Sequence, residues 1–333
     1  MSKPPSPQGA VTVAVDGLTV KHRRTTALDA VDLELGVGVH GLLGPNGAGK
    51  TSLIRVLATV AAPKSGSVRL LGRDVTGGAS GHSARTAARR RLGYLPQEFG
   101  YYPRFTVREF VTYVAWLKEM PGDATPEAVE RAVDRVGLTD RIDAKIKTLS
   151  GGMVRRVGIA QAIVNDPDVL LLDEPTTGID PEQRVRFRSL LRQLGTTSTV
   201  VVATHLVEDV AAACTNVTLM DEGHVIYQDT PAALAALAAD TGNAADAGNA
   251  VQVGDAAGTG DAAGTRGAAD TGNTVQAGDA VQAEDTWQAE DTWQAEEAGD
   301  TAIERGYLAA LRRHRTTPNS TAASQVPATK SGP

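Results

Sequence analysis

Apolar residues near the start of the chain follow two different periods. Val11–Val15 and Val31–Leu35 alternate apolar with polar residues, as half-buried strands do. Val39–Leu43 is a short, largely apolar run that leads directly into a glycine-rich loop, which is typical of a buried strand. In Thr51–Val60 the apolar residues fall at helical spacing. The pattern therefore predicts a strand, a glycine loop and a helix in that order.

The segment from about residue 101 to residue 163 changes to helical periodicity. Thr106 and Glu109 have the spacing of a capping box, in which each side chain satisfies a free backbone N–H of the first helical turn. The box predicts a helix with one apolar face, made of Phe110, Val111, Val114 and Leu117. A second helix is expected from Thr125-Pro126 to Gly137. Together these signals predict a helical subdomain.

Strand and helix signals alternate again in the following part of the chain. Val169–Leu172 and Thr199–Ala203 have the length of buried strands, and Asp180-Pro181 predicts the start of the helix between them. Val217–Met220 and His224–Tyr227 are expected to form a hairpin. Alternation of strands and helices favours an α/β domain over residues 11–232.

Low-complexity sequence follows this domain. Ala283–Gln288 is repeated at once in residues 289–294, and acidic residues dominate from Asp240 to Asp300. With few large apolar residues to offset the entropy of ordering, residues 233–300 are predicted to be disordered, as are residues 1–10 and 316–333. A calcium-binding repeat would need a regular Gly/Asp period, which is lacking. A short helix is expected over residues 301–315, where Ile303, Tyr307 and Leu311 share a face.

Composition adds constraints on the class of protein. The chain has 333 residues, a net charge of −6 and one cysteine, Cys214, which is expected to fill apolar space. A single cysteine excludes an internal disulfide framework and favours a reducing cytoplasm. No apolar run reaches the ~18 residues of a membrane helix, and Met1–Gly9 lacks the apolar core of a signal peptide. The basic run at residues 89–91 is too short to indicate a nucleic-acid partner.

The glycine-rich loop has the full pattern of a phosphate-binding loop. Its glycines let backbone N–H groups surround phosphates, and the following helix directs its positive N-terminus at the same anion. Lys50 would place its charge at the β- and γ-phosphates, and the Thr51 hydroxyl would bind Mg²⁺. The residues assigned to ATP binding here are Gly44, Pro45, Asn46, Gly47, Ala48, Gly49, Lys50, Thr51 and Ser52.

Two carboxylates follow the strand Val169–Leu172. Asp173 is expected to hold Mg²⁺ through water, and Glu174 to orient or deprotonate an attacking water. An isolated Asp-Glu pair at a strand end is more often a solvated turn. Its position after a phosphate-binding loop favours the catalytic interpretation.

With Leu149-Ser150-Gly151-Gly152-Met153 the chain resembles the ATP-binding subunit of an ABC transporter. The resemblance covers about residues 11–231 and implies a P-loop NTPase fold with a RecA-like core, an antiparallel β subdomain and a helical signature subdomain. It also implies ATP and Mg²⁺ as cofactors. Ser150, Gly151 and Gly152 would grip the γ-phosphate bound by another subunit, and Met153 replaces the glutamine most common in the family.

Further positions match the family one by one. Gln97 corresponds to the Q-loop glutamine, which contacts Mg²⁺ and links to the helical subdomain, and Asp180 belongs to the D-loop, which crosses the dimer. His205 matches the switch histidine at the γ-phosphate. The family stacks an aromatic ring on adenine, and alignment puts His22 there; its imidazole offers less stacking area than tyrosine.

The resemblance implies a subunit that powers transport through a separate membrane-spanning permease, with a second nucleotide-binding domain as dimer partner. Such a subunit lies in the cytoplasm, peripheral to the inner face of the cell membrane. Residues 149–157 and the terminal helix resemble export-type members. The alternatives are an importer ATPase and a soluble ABC ATPase of the repair or translation type, although repair relatives contain long coiled coils and translation relatives two domains per chain. A non-catalytic nucleotide sensor would be expected to lack Glu174 or His205, and both are present.

Overall fold

A computed structural model of the chain describes residues 11–23, 25–237 and 301–316. Its strands are β1 (Val13–His22), β2 (Thr25–Leu35), β3 (Gly38–Leu43), β4 (Ser65–Leu70), β5 (Arg73–Asp74), β6 (Leu92–Leu95), β7 (Val169–Asp173), β8 (Thr199–Ala203), β9 (Asn216–Asp221) and β10 (His224–Asp229). Its helices are α1 (Lys50–Leu57), α2 (Gly78–Arg90), α3 (Val107–Leu117), α4 (Thr125–Arg135), α5 (Gly151–Ile163), α6 (Pro181–Gly195), α7 (Val207–Ala213) and the C-terminal helix (Ala302–Thr316). Short 3-10 turns at Thr139–Arg141 and Ile146–Thr148 join α4 to α5, and residues 231–237 are also helical.

The strands form two sheets. The six-stranded sheet has the order β10-β9-β3-β8-β7-β6 and is parallel except for β10 at its edge. Every residue of β3, β7 and β8 is buried, which explains their short apolar runs. α1 packs against β7, and α6 packs against β3 and β8. This arrangement confirms the α/β prediction and brings the carboxyl ends of β3 and β7 to the same edge.

The four-stranded antiparallel sheet, β2-β1-β4-β5, has longer strands than the alternation predicts. β1 continues to His22 instead of ending at Val15, and β2 begins at Thr25 instead of Val31. The register of the pair shifts between Val15 and Leu18, where Gly17 has φ +55°. A bulge changes which residues face the core, so strict alternation stops although the strand continues. β4, β5, β6 and α2 carried no clear periodicity and were not predicted.

The helical subdomain contains α3, α4 and α5, whose apolar faces pack on one another. The capping box is present: Glu109 N donates to Thr106 Oγ1 at 3.1 Å, and Thr106 N donates to the Glu109 carboxylate at 2.7 Å. Leu117 lies on the same face as Phe110 and Val114, since all three line one cavity, but its exposed fraction is 54%. Leu117 is the last residue of α3, and Val114 and Ala115 are the final positions of that helix to be buried.

The C-terminal helix is present where a short helix was predicted, and it packs beside β10 and α7. Its Arg315 donates two hydrogen bonds, of 3.0 and 3.2 Å, to the carboxylate of Asp221, whose side chain is 2% exposed. Asp221 ends β9, next to the turn whose Gly223 N donates to Ala48 O in the glycine loop at 3.1 Å. The C-terminal helix is thus linked to the phosphate-binding loop through Asp221 and the turn at Gly223.

Other expectations concern small features. Cys214 is partly buried against the core, and burial raises the pKa of its thiol to about 12. The helical turn at 231–237 runs five residues past the domain end predicted at residue 232. Residues 233–300 and 316–333 were predicted to be disordered, but residues 233–237 and 316 are helical, and the fully buried Leu234 anchors the first of these segments in the core. The predictions of disorder for residues 1–10, 238–300 and 317–333 lie outside the described residues. None of the helices in the described ranges is long and apolar enough to cross a membrane.

Candidate nucleotide site

The glycine loop turns between the end of β3 and the start of α1. Gly49 is the N-cap residue of α1 and has φ +102°, a conformation that side chains rarely adopt. A Cβ built on it would lie 2.5 Å from the carbonyl oxygen of Ala27. Glycine is therefore required both by the backbone conformation and by the close approach of the neighbouring strand. The result leaves the backbone N–H groups of the first turn of α1 directed at one point, which is the geometry of an anion site.

Lys50 lies under this loop with 7% of its surface exposed. Its ammonium donates to the carbonyl oxygens of Gly44, at 2.5 Å, and Pro45, at 2.9 Å. Burial lowers the pKa of Lys50 from its ordinary value, while the carboxylates of Glu174 and Asp173 oppose that shift. The lysine is held in position by the loop itself.

Thr51 and Asp173 connect the loop to the end of β7. Thr51 Oγ1 donates to Asp173 Oδ1 at 3.2 Å. Burial raises the pKa of Asp173, and the Thr51 hydrogen bond opposes the shift. Asp173 Oδ2 is buried and has no hydrogen-bond partner among the described residues. A hydroxyl and a carboxylate with an unused oxygen are the hard oxygen donors that suit Mg²⁺.

Glu174 and His205 face each other at the carboxyl ends of β7 and β8. His205 Nδ1 lies 3.1 Å from Glu174 Oε1 and 3.0 Å from Oε2. The Glu174 side chain is 13% exposed and that of His205 is 58% exposed. Glu174 has φ +49°, in the left-handed region. The carboxylate thus contacts an exposed ring, and Glu174 itself has a backbone conformation that is uncommon for glutamate.

Most of the predicted site residues surround one cavity of about 530 Å³. His22 lies at its rim with Nε2 3.1 Å from Ser52 Oγ. Gly44, Pro45 and Asp173 do not line it and act from behind through the contacts described above. Ala27 and Thr177 line it but were not predicted as site residues; Thr177 precedes the predicted D-loop residue Asp180 by three positions. The lining residues are His22, Ala27, Asn46, Gly47, Ala48, Gly49, Lys50, Thr51, Ser52, Gln97, Glu174, Thr177 and His205.

The signature residues lie elsewhere. Ser150, Gly151 and Gly152 form the N-terminus of α5 and do not line the cavity. Ser150 is the N-cap of that helix, and its Oγ accepts from Met153 N at 3.3 Å. Asp180 also lies off the cavity and caps α6, accepting from Gln183 N at 2.9 Å. Within the described chain, two of the predicted groups are therefore separate from the phosphate-binding loop.

Comparison with known proteins identifies the chain. The family model described as "ABC transporter" matches residues 28–177. The chain is 37% identical over 229 residues to the Nod factor export ATP-binding protein I of Paraburkholderia xenovorans (strain LB400), covering 67% of this chain and 72% of that protein. This chain belongs to the ABC transporter family. A second such protein, from Ralstonia nicotianae, is 35% identical over 239 residues, covering 70% of this chain and 72% of its own length.

A third protein of that name, from Burkholderia orbicola, is 40% identical over 199 residues, but the match covers 59% of this chain and 62% of the relative. A dimeric bacterial ABC transporter cassette has a TM-score of 0.60 at 24% identity, covering 66% of this chain and 98% of the cassette. An ATP-binding subunit of an ABC transporter gives 0.61 at 20% identity, covering 70% and 94%. At these identities the structures show the fold alone, the P-loop NTPase fold of ABC ATPases. The chain is the ATP-hydrolysing, nucleotide-binding subunit of an ABC transporter.

Proposed function

We propose that this ABC ATPase works as a pair of copies that enclose ATP between them. The single observation that carries this proposal is the separation of Ser150–Gly152 from the cavity that holds the phosphate-binding loop. A helix N-terminus with a serine cap is an anion site, and α5 offers one that has no nucleotide of its own chain to bind. A second copy, facing the first, would bring its Ser150 to the γ-phosphate held by Lys50.

Each residue then has a defined task. The backbone N–H groups of Gly47–Thr51 and the Lys50 ammonium bind the phosphates. His22 covers adenine at the other end of the cavity. Thr51, Asp173 and Gln97 would hold Mg²⁺, which supplies positive charge against the phosphate oxygens. Glu174 accepts a proton from, or orients, the attacking water, and His205 keeps the carboxylate in place through Nδ1.

Mixed dimers of two inactive variants test the shared site. Lys50→Met removes the phosphate contact of one half. Ser150→Asp keeps an N-cap side chain but puts negative charge against the γ-phosphate of the other half. In a dimer of one Lys50→Met chain and one Ser150→Asp chain, both changes fall in the same site, so the second site is fully wild type.

The two variants are co-expressed with different tags, and the mixed dimer is isolated by both tags in sequence. We expect phosphate release by the mixed dimer to be far above that of either variant alone. A mixed dimer as inactive as its parents contradicts a site shared between two copies of this chain.

We also propose that a membrane-spanning permease docks on an aromatic surface of the helical subdomain, and that the pair powers export. Eight of the thirteen aromatic residues of the chain lie between Tyr94 and Trp116. Several are exposed, with exposed fractions of 49% for Tyr102 and 68% for Trp116. Six of the eight line a cavity of about 490 Å³ between α3 and the loop after β6, and Trp116 stacks on one of these six, Tyr113, with ring centroids 6.0 Å apart. Exposed aromatic clusters of this kind mark protein interfaces.

Docking would place the subunit at the inner face of the cell membrane, and the export-type relatives favour outward transport. Trp116→Asp tests this surface. We expect the variant to lose co-purification with a multi-span membrane protein in mild detergent while it still binds ATP. The matched control is Val60→Asp, since Val60 is also an exposed apolar residue, at 58%, but lies after α1. Loss of the partner in both variants, or in neither, contradicts the docking site.

A further inference from the structure

Arg155 joins α5, the signature helix, to two loops of the same chain that we call the catalytic loops. One follows β6 and carries Gln97, and the other follows β7 and carries Glu174. It lies on α5, five residues after Ser150, and is 7% exposed. Its guanidinium donates to five backbone carbonyl oxygens and to no carboxylate. The acceptors are Pro96 (3.0 Å), Gln97 (2.8 Å), Asp173 (2.6 Å), Glu174 (2.7 Å) and Pro175 (3.3 Å).

The five hydrogen bonds use the whole donor capacity of the side chain. A guanidinium has five N–H groups in one rigid plane. Here Nε makes one bond, Nη1 makes two and Nη2 makes two. A lysine at this position has three donors, so it leaves at least two of the carbonyl oxygens without this partner. The arrangement therefore requires arginine for its shape, beyond its charge.

The acceptors belong to two segments that are far apart in sequence. Pro96 and Gln97 follow β6, while Asp173 and Glu174 end β7 and begin the next loop. The Gln97 and Glu174 side chains enter the nucleotide cavity from these two segments. One planar group thus fixes the spacing of the backbones that carry both side chains. A shift of α5 is transmitted to both backbones through the same rigid plane.

We propose that Arg155 is a positioning residue, which sets the places of Gln97 and Glu174 and couples them to the signature helix. This inference rests on the proposed catalytic roles of those two side chains. When Ser150 at the N-terminus of α5 engages the ATP of the second copy, any movement of α5 reaches Glu174 through Arg155. Binding at one site would then set the catalytic geometry at the other.

The neighbouring arginine gives a matched control. Arg156 lies on the same helix and also donates to backbone carbonyl oxygens, those of Val136 at 3.2 Å and Gly137 at 2.9 Å. Those acceptors follow α4 and lie away from the cavity. Arg156→Met therefore removes a guanidinium and its carbonyl contacts without touching either catalytic loop.

The experiment compares Arg155→Lys, Arg155→Met and Arg156→Met with the wild type, all as the full chain. ATP affinity and the number of binding sites are measured by calorimetry with EDTA present, and kcat by phosphate release with Mg²⁺ present. Since a misplacement of about 1 Å can cost about 10²-fold in rate, we expect Arg155→Lys to lower kcat by about 10- to 100-fold. Its Kd for ATP should stay within about threefold and its binding stoichiometry should be unchanged, because Lys50 and the phosphate-binding loop are intact.

Arg155→Met should lower kcat further, and Arg156→Met should stay within about twofold of the wild type. Expressing kcat per ATP-binding site removes any unfolded fraction from the comparison. The proposal is overturned if Arg155→Lys keeps the wild-type kcat, if Kd and stoichiometry deteriorate in parallel with kcat, or if Arg156→Met loses as much. A wild-type protein without Glu174-dependent turnover would instead contradict the catalytic roles themselves.

Discussion

We expect the replacement of Glu174 by glutamine to separate ATP binding from ATP hydrolysis. The amide has nearly the same shape as the carboxylate. In the wild type, His205 Nδ1 lies about 3 Å from both carboxylate oxygens, so the amide oxygen can still accept from it. Lys50 and the N-terminus of α1 are unchanged. The change also removes a negative charge beside Asp173, one of the causes that raise the pKa of that buried carboxylate. We therefore expect the variant to bind ATP at least as well as the wild type.

The magnitude follows from the task assigned to the carboxylate. A positioned general base contributes about 10²–10⁴-fold to a rate, which corresponds to about 2.7–5.4 kcal/mol of transition-state stabilisation. The loss in kcat should fall in this range. Because one acceptor oxygen is retained and no cavity is created, the free energy of unfolding should change by less than about 1 kcal/mol.

Phosphate release measures turnover, and size-exclusion chromatography with ATP measures whether the variant accumulates as an ATP-bound dimer. The control is Glu182→Gln, because Glu182 is 75% exposed on α6 and makes a surface pair with Arg186, which contributes little. Wild-type turnover in Glu174→Gln would refute the role of this carboxylate. Loss of ATP binding together with turnover would show that Glu174 supports the fold of the site instead.

Three further substitutions test how the glycine loop, the buried strand β3 and the C-terminal helix contribute to stability. Gly49→Ala should lower the midpoint of urea unfolding more than Gly47→Ala, because both residues have positive φ but a Cβ at Gly49 meets backbone at 2.5 Å, whereas none lies within 4 Å at Gly47. His40 is buried, which lowers its pKa below 6.5. As the pH drops, the unfolded chain therefore takes up a proton before the folded chain does, so the free energy of unfolding should fall below about pH 6.5. His40→Gln should reduce this pH dependence, measured by urea unfolding at pH 7.5 and 5.5. Arg315→Ala should cost about 1–2 kcal/mol and weaken ATP binding in calorimetry, while exposed Arg312→Ala should do neither.

The residues that sequence alone could identify share one property. The roles proposed for Lys50, Thr51, Glu174 and His205 demand a particular residue type at a particular place in an ordered set of motifs. The structure brings all four to one cavity or its wall. Phosphate-binding loops are recognisable for the same reason, since close backbone approach at Gly49 admits no other residue.

Arg155 could not be identified in this way. Its proposed role depends on five carbonyl oxygens that converge only after folding. Every residue type has a backbone carbonyl, so the sequence does not show which of them will accept from Arg155. In sequence it is one of two adjacent arginines, and nothing distinguishes it from Arg156. The full length of β1 could not be predicted from the sequence either, because the bulge at Gly17 breaks the alternation on which strand prediction depends.

At Glu174 the backbone conformation lowers the stability of the fold, while the side chain is the one proposed to act in hydrolysis. Its φ of +49° suits glycine, and a non-glycine residue held there costs about 1–3 kcal/mol. Glycine would relieve that strain. The resulting stabilisation of the folded state should exceed the ~0.4–1 kcal/mol by which glycine's flexibility stabilises the unfolded state. Glu174→Gly should therefore melt at a higher temperature than the wild type and hydrolyse no ATP. With the role proposed for its side chain, Glu174 would therefore serve turnover at a cost in the stability of the fold.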